Sequence, residues 1–445
     1  MKIPKMHPGT ICATLISAGI VLGLIAFSAR TAMADTLPAA VRLVLSEAGR
    51  LIDRKEYVKA VDVLKAFQAK GGSSQVNPQE ESVHHHPMIF FALGNCRLLL
   101  GQYDQAEKEY NEVVRRRPEM TSARLNLAKA CYEQGRHVCA GHHFAEAYDR
   151  AADKNPEHLY YSAAAYLAAQ DHARAVQIFE RLYAAHLGQA KPEWKVHFVY
   201  SLVGDGKARR ALPLIRELIA AATGEERLRW QEVLLYQYIQ LQMPLEAHRY
   251  AVALTREAPQ TAHWWKLLGQ IRLGAGDYAE ALAALTIYGY LRQLTIEEQK
   301  LWADLNLQLG IPSQAASAYA ALLADDPSPQ TVKSLVHAYR RLGRHEEALA
   351  QLARFQTPGD DTDLLMLKAD LLYEMKRFDE AARVYRQTAS IDESPNAGLA
   401  WLMAGYAAWQ NNELELSRKD FKRAADYKQQ RTPATAAIRQ LEKMN

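Results

Sequence analysis

Small and large apolar side chains recur along this chain on a frame of about 34 residues. A small residue returns at Ala60, Ala106, Ala140, Ala175, Ala211, Ala247, Ala281, Ala315, Ala348, Ala381 and Ser417. The intervals are 46, 34, 35, 36, 36, 34, 34, 33, 33 and 36 residues. Twelve positions before each anchor the residue is again mostly small, as at Ala48, Gly94, Ala128, Ala163, Gly269 and Gly405. Four positions after it comes a large apolar side chain in most cases, including Leu64, Tyr110, Phe144, Phe179, Ile215, Tyr319, Tyr385 and Phe421. Gly101-Gln102-Tyr103-Asp104, Gly276-Asp277-Tyr278 and Gly343-Arg344-His345 read as turns between these positions. The pattern predicts pairs of antiparallel helices, which approach closely where facing side chains are small while ridges on either side interdigitate. A glycine closes the first helix by taking the left-handed conformation. Proline opens the next unit where its missing amide costs nothing, as in Asn155-Pro156-Glu157 and Lys191-Pro192-Glu193. A period of this length is that of stacked helix–turn–helix units.

Residues 1–34 follow a different pattern. Lys2 and Lys5 precede an apolar run from Ile11 to Phe27, and Ala32-Met33-Ala34 precedes Asp35. A charged region, a hydrophobic region and a small-x-small site predict a secretory signal peptide cleaved after Ala34. The competing reading keeps the run as an uncleaved anchor, near the lower length limit for a bilayer span. Ile11 is too large for the residue before a lipidated cysteine, so Cys12 predicts no lipid site. After cleavage the expected organisation is a first repeat over 35–70, a flexible insert over 71–86, repeats two to eleven over 87–430, and a capping helix over 431–445. Thr432 and Pro433 are the expected N-cap and first helical residue of that last helix. The repeats near 192–222 and 228–260 are weak by themselves, with Leu235 in a small position and Pro244 where a turn aromatic belongs, and are carried by their neighbours' phase.

Composition narrows the function. The full chain carries 54 basic and 50 acidic residues. Removing Lys2, Lys5 and Arg30 leaves 51 against 50, so nothing argues for nucleic acid or an anionic membrane surface. No later stretch has eighteen uncharged apolar residues, so the processed chain is not expected to be integral to a membrane. Chemical motifs are sparse. Gly204-Asp205-Gly206-Lys207 lacks the first glycine and the Ser/Thr of a phosphate loop, and no strand precedes it. His142-His143 reads as a pair on a helix surface. His84-His85-His86 lies in the insert, where three imidazoles can meet a transition metal, but with no carboxylate or cysteine fixed beside them the reading is a solvated linker. No catalytic residue, metal site or cofactor is expected. Cys96, Cys131 and Cys139 remain after cleavage, an odd number in an exported protein. Cys131 and Cys139 flank one turn on facing helices and are candidates for a disulfide, and Cys96 for a buried apolar role.

The segment Phe90-Phe91-Ala92-Leu93-Gly94, Gly101-Gln102-Tyr103-Asp104-Gln105-Ala106, Tyr110 and Pro118 resembles a tetratricopeptide repeat (TPR) at nearly every signature position. Trp265, Leu268-Gly269, Gly276-Asp277-Tyr278, Ala281 and Leu285 form a second copy. The resemblance covers roughly residues 38–430. It implies an all-α, right-handed solenoid of about eleven repeats, with a concave surface lined by the first helix of each. On that surface it places Phe91, Asn95, Tyr132, Tyr160, Tyr200 and Tyr236, then a basic stretch of Lys266, Lys300, Lys333 and Arg340, then Tyr373, Tyr406 and Trp409. Aromatic side chains in a concavity are common anchors for a protein or peptide partner, and the basic stretch is expected to steer an acidic segment. The family's clamp for a C-terminal carboxylate pairs two asparagines with basic residues. Asn95 and Asn126 match the former, but Phe91, Glu157 and Tyr161 stand where the bases belong, so no such clamp is expected.

The reading is a periplasmic TPR scaffold for protein–protein interaction that performs no chemistry. The segment Ala400 to Trp409 resembles the last repeat of exported TPR proteins that accompany TonB–ExbB–ExbD energy-transducing systems, which implies contact with a membrane-anchored complex. An assembly factor for cell-envelope or exopolysaccharide machinery is the alternative. A glycan-processing enzyme is a third, disfavoured because Asp304 and Asp370 lie too many repeats apart to face each other.

Overall fold

The computed structural model of the chain describes residues 37–72, 83–189, 191–355, 361–391 and 394–443. The expected signal peptide and most of the expected insert lie outside them. The described residues form 23 α-helices and no strand. The chain divides into two compact halves, one ending at Met243 and the other beginning at Pro244.

The N-terminal half holds five helix pairs and a single longer helix. They are α1 Ala39–Asp53 with α2 Tyr57–Ala69, α3 Pro87–Leu99 with α4 Tyr103–Arg116, and α5 Thr121–Glu133 with α6 His137–Arg150. Then come α7 Pro156–Ala168 with α8 His172–His186, α9 Pro192–Gly204 with α10 Ala208–Ala221, and α11 Gly224–Gln240. The C-terminal half begins with α12 Pro244–Glu257, followed by α13 Ala262–Ala275 with α14 Tyr278–Leu291 and α15 Ile296–Gln308 with α16 Pro312–Leu322. It ends with α17 Pro329–Arg341 and α18 His345–Arg354, α19 Thr362–Glu374 and α20 Phe378–Ala389, α21 Ala397–Gln410 and α22 Leu414–Ala425, and α23 Arg431–Glu442.

The frame read from the sequence is the frame of the core. All eleven anchor residues are at most 2% exposed. Close approach at the partner position is what demands it: a Cβ on Gly94 would stand 2.6 Å from the ring of Tyr110, and one on Gly405 2.5 Å from Phe421. Ser417 alone among the anchors is polar, and its hydroxyl donates to the Gly405 carbonyl at 2.8 Å, so burying it leaves no unmet donor. A second periodic bond ties the large residue after the anchor to the first helix. Tyr110 donates to Asn95 Oδ1 at 2.8 Å, Tyr385 to Asp370 Oδ1 at 2.5 Å, and Tyr319 to Asp304.

Every turn inside a repeat contains one left-handed residue, always five positions before the anchor. Six are glycines: Gly101, Gly135, Gly206, Gly276, Gly310 and Gly343. The other five are Lys55, Gln170, Gln242, Lys376 and Asn412. The next amide then reaches back over the helix end, as Gln102 N does to Arg97 O at 2.8 Å and Asp171 N to Tyr166 O at 2.9 Å. This closes the otherwise orphaned carbonyls of the first helix. Cys131 and Cys139 sit on either side of one such turn and are joined as a disulfide with Cα atoms 5.9 Å apart. Cys96 is fully buried, and burial pushes its thiol up to about 11.

Four expectations need correction. The helix expected from 228 begins at Gly224 and runs 17 residues, and Pro244 opens the helix that follows it. The last helix begins at Arg431 with Gln430 before it, so Thr432 and Pro433 lie inside its first turn. Proline is tolerated there because first-turn amides have no intrahelical acceptor. His84 to His86 are half-buried and packed rather than a solvated linker. The His84 ring lies 4.6 Å from that of Phe67, His85 lies 6.3 Å from Phe90, and His86 Nδ1 accepts from Met88 N at 3.2 Å as the cap of α3. His142 is exposed, but His143 is half-buried rather than a surface residue.

Candidate partner-binding surface

In the N-terminal half the expected surface residues are partly exposed, and most have structural work to do. Asn95 accepts from both Tyr110 and Asn126 Nδ2, the latter at 2.8 Å, so the two clamp-like asparagines bind each other. Phe91 lies 6.1 Å from Tyr110, and Tyr132 lies 4.8 Å from His137. Tyr160 is stacked into the following repeat, 5.1 Å from Trp194 and 5.8 Å from His197, and its hydroxyl lies 3.0 Å from His197 Nδ1. Trp194 and His197 are buried, and that burial lowers the pKa of His197. Tyr200 approaches Trp230 at 6.3 Å, and Tyr236 is partly exposed. Replacing Tyr160 would therefore loosen the joint between two repeats as well as alter a surface.

The basic stretch in the C-terminal half is a larger departure from expectation. Each of its cations is paired with an acid further along, in the next repeat or in the link before it. Lys266 meets Glu298 at 2.6 Å and lies over the ring of Tyr288. Lys300 meets Asp326 at 2.8 Å, and Lys333 meets Asp363 at 3.0 Å and Asp361 at 3.4 Å. Arg340 grips both carboxylate oxygens of Glu374, with its Nε 2.9 Å from each. The hydrogen bond to Glu298 raises the pKa of Lys266. The bonds from Lys300 and Thr331 hold the Asp326 carboxyl down at about 2. These four residues therefore join neighbouring parts of the stack, and none of them is an unpaired cation ready to steer an acidic partner. Beside them lies a cleft of about 480 Å³, lined by Leu307, Ser334, His337, Arg340, Arg341 and Glu374.

The aromatic side chains of the last two repeats differ from Tyr160. Tyr373 meets Phe378 edge-on at 5.2 Å, and Tyr406 and Trp409 meet Phe421 edge-on at 5.0 and 6.2 Å. All three remain partly exposed while packed against the core of their own pair. Rings fixed along one edge lose little freedom on meeting a partner. Neither the acidic partners of the lysines nor the Trp194–His197 stack left a mark on the small-residue frame, so neither was legible in the sequence.

Models of the tetratricopeptide repeat match residues 91–144, 238–288, 300–361 and 366–433, with a second model matching 159–186. The chain belongs to the tetratricopeptide repeat family. The curated proteins gave no match to it. Among solved structures, a chain of the Naa15/Naa10 complex bound to HypK-THB is similar at 15% identity and a TM-score of 0.41, covering 86% of this TPR chain and 68% of that one. YrrB, a TPR protein with an unusual peptide-binding site, is similar over 42% of this chain and 97% of its own, at 16% identity and a TM-score of 0.34. Yeast Tom70 is similar over 90% and 95%, at 13% identity and a TM-score of 0.30. No helix of the described residues is long and apolar enough to cross a membrane.

Proposed function

We propose that this TPR chain is an exported, periplasmic scaffold that performs no chemistry and holds a protein partner on the first helices of its repeats. TPR proteins generally act as protein-interaction scaffolds. The observation that carries the reading is the set of partly exposed, edge-fixed rings of Tyr373, Tyr406 and Trp409, on a half whose neighbouring charges already satisfy one another. Such rings supply large contact area at small entropic cost, whereas a paired charge must first be separated from its partner. Export is supported by the signal-like order of Lys2, Lys5, the apolar run and Ala32-Met33-Ala34, and by a disulfide, which persists in oxidising compartments. Association with a TonB-type complex rests on the resemblance of the segment from Ala400 to Trp409.

Photo-crosslinking side chains placed at Tyr373 and Tyr406 should capture the same partner from the periplasm. A probe at Tyr290, which is 84% exposed on a second helix, should not. Capture from Tyr290 alone would place the partner on the second helices and reject the reading. N-terminal sequencing should find Asp35 first; recovery of the chain with residues 1–34 intact in the cytoplasm would reject export.

A further inference from the structure

Two cysteines and a histidine of the third repeat form a cluster that the scaffold reading does not use. Cys131 is near the end of α5, Cys139 is in the first turn of α6, and His143 follows Cys139 by four residues, one turn along the same helix face. Sulfur and ring-nitrogen atoms of the three lie within 4.8 Å of one another. His143 Nδ1 is buried, and the Glu146 carboxylate lies 3.4 Å from it. Glu146 is in turn held by Arg124. Arg136, in the turn, brings Nη2 to 3.9 Å from Cys131 Sγ.

We propose that the reduced third repeat binds zinc through Cys131, Cys139 and His143, and that the disulfide is the closed state of the same site. Two thiolates and one imidazole are a usual zinc donor set, with a fourth position left to solvent. Thiolates in a tetrahedral site stand further apart than bonded sulfurs do, so the disulfide must open first. A dithiol reductant supplies two electrons and two protons, becomes a disulfide itself, and leaves two thiols. Zinc then displaces both thiol protons to solvent as the sulfurs bind. Attack falls on the Cys139 sulfur, since Cys131 is fully buried and Cys139 is half-buried. Glu146 acts as a positioning residue that fixes the imidazole, the usual duty of a carboxylate behind a zinc-bound histidine. His142, on the exposed side, is not a ligand.

Cobalt titration of the full-length protein, reduced with a phosphine, tests the assignment. One equivalent should produce sulfur-to-cobalt charge-transfer absorption and tetrahedral visible bands, and zinc should abolish both. The oxidised protein should give neither. Cys139→Ser and His143→Gln, checked for unchanged helical circular dichroism, should weaken zinc binding at least about tenfold, and His142→Gln should leave it unchanged. Absence of the charge-transfer band in the reduced protein overturns the proposal whatever the variants do. Equal zinc affinity of the oxidised protein or of Cys139→Ser also overturns it, because the ion would then sit on His142, His143 and Glu146 instead.

Discussion

Replacing Gln170 with glycine should stabilise the protein although it removes every atom of a side chain. Gln170 has φ 58° and is exposed. The bond its turn depends on, Gln170 N to Leu167 O at 2.9 Å, is made by the backbone. Holding an L-residue in the left-handed region costs about 1–2 kcal/mol, and glycine gives back about 0.5–1 kcal/mol through its greater freedom in the unfolded chain. The net gain is about 0.5–1 kcal/mol. Lys55 and Lys376, with φ 62° and 59°, should behave alike, and Lys55→Gly with Gln170→Gly should add because they lie in different repeats. Gly276→Ala is the reverse experiment. Its φ is 82° and an added Cβ meets nothing within 4 Å, so its loss is torsional alone and of similar size. For halves of roughly 200 residues, 1 kcal/mol corresponds to about 2–4 °C in Tm. Urea and thermal unfolding should be followed by circular dichroism and by tryptophan fluorescence together, because repeat arrays can melt in sections. A Gln170→Gly protein less stable than the parent, or a Gly276→Ala protein unchanged, would refute the torsional argument.

Two further outcomes are expected. Gly94→Ala should destabilise by about 1–3 kcal/mol, since its Cβ would strike the buried Tyr110 ring, which is tethered through its hydroxyl to Asn95 and has nowhere to go; an unchanged urea midpoint would show that the helices can part without cost. The Asp326 carboxyl is held at about 2 against an ordinary 3.8, so its contribution is present above 3.8 and is lost as pH falls through about 2. Asp326→Asn should therefore flatten the fall in stability over that window, and an acid-unfolding curve superimposable on the parent's would count against the Lys300–Asp326 joint.

The sequence disclosed what repeats at constant spacing and little else. The anchors located the helix pairs within each half because close packing needs a small residue at the same height in each. The left-handed turn position is equally regular, yet only six of its eleven residues are glycines, so Lys55, Gln170, Gln242, Lys376 and Asn412 were visible as turns only through their distance to the anchor. The candidate surface was harder to read. Lys266, Lys300 and Lys333 looked like a basic strip because their partners Glu298, Asp326 and Asp363 lie in the following repeat or the link before it and keep no constant place in the frame. Tyr160 looked like a binding residue because a stack with Trp194 and His197 leaves no mark on the period. The start of the last helix slipped because proline is admitted anywhere in a first turn.

Lys266, Lys300 and Lys333 each stand fifteen positions before the anchor of their own repeat, at Ala281, Ala315 and Ala348. One cation in one place, reaching forward to an acid, makes the junctions after the seventh, eighth and ninth repeats interchangeable. Deleting residues 301–333 would put Lys300 where Lys333 stood, opposite Asp361 and Asp363, with a carboxylate still waiting for it. In this stretch the gene could gain or lose a module by recombination without unmaking a joint, and the length of the protein is something evolution can adjust one repeat at a time.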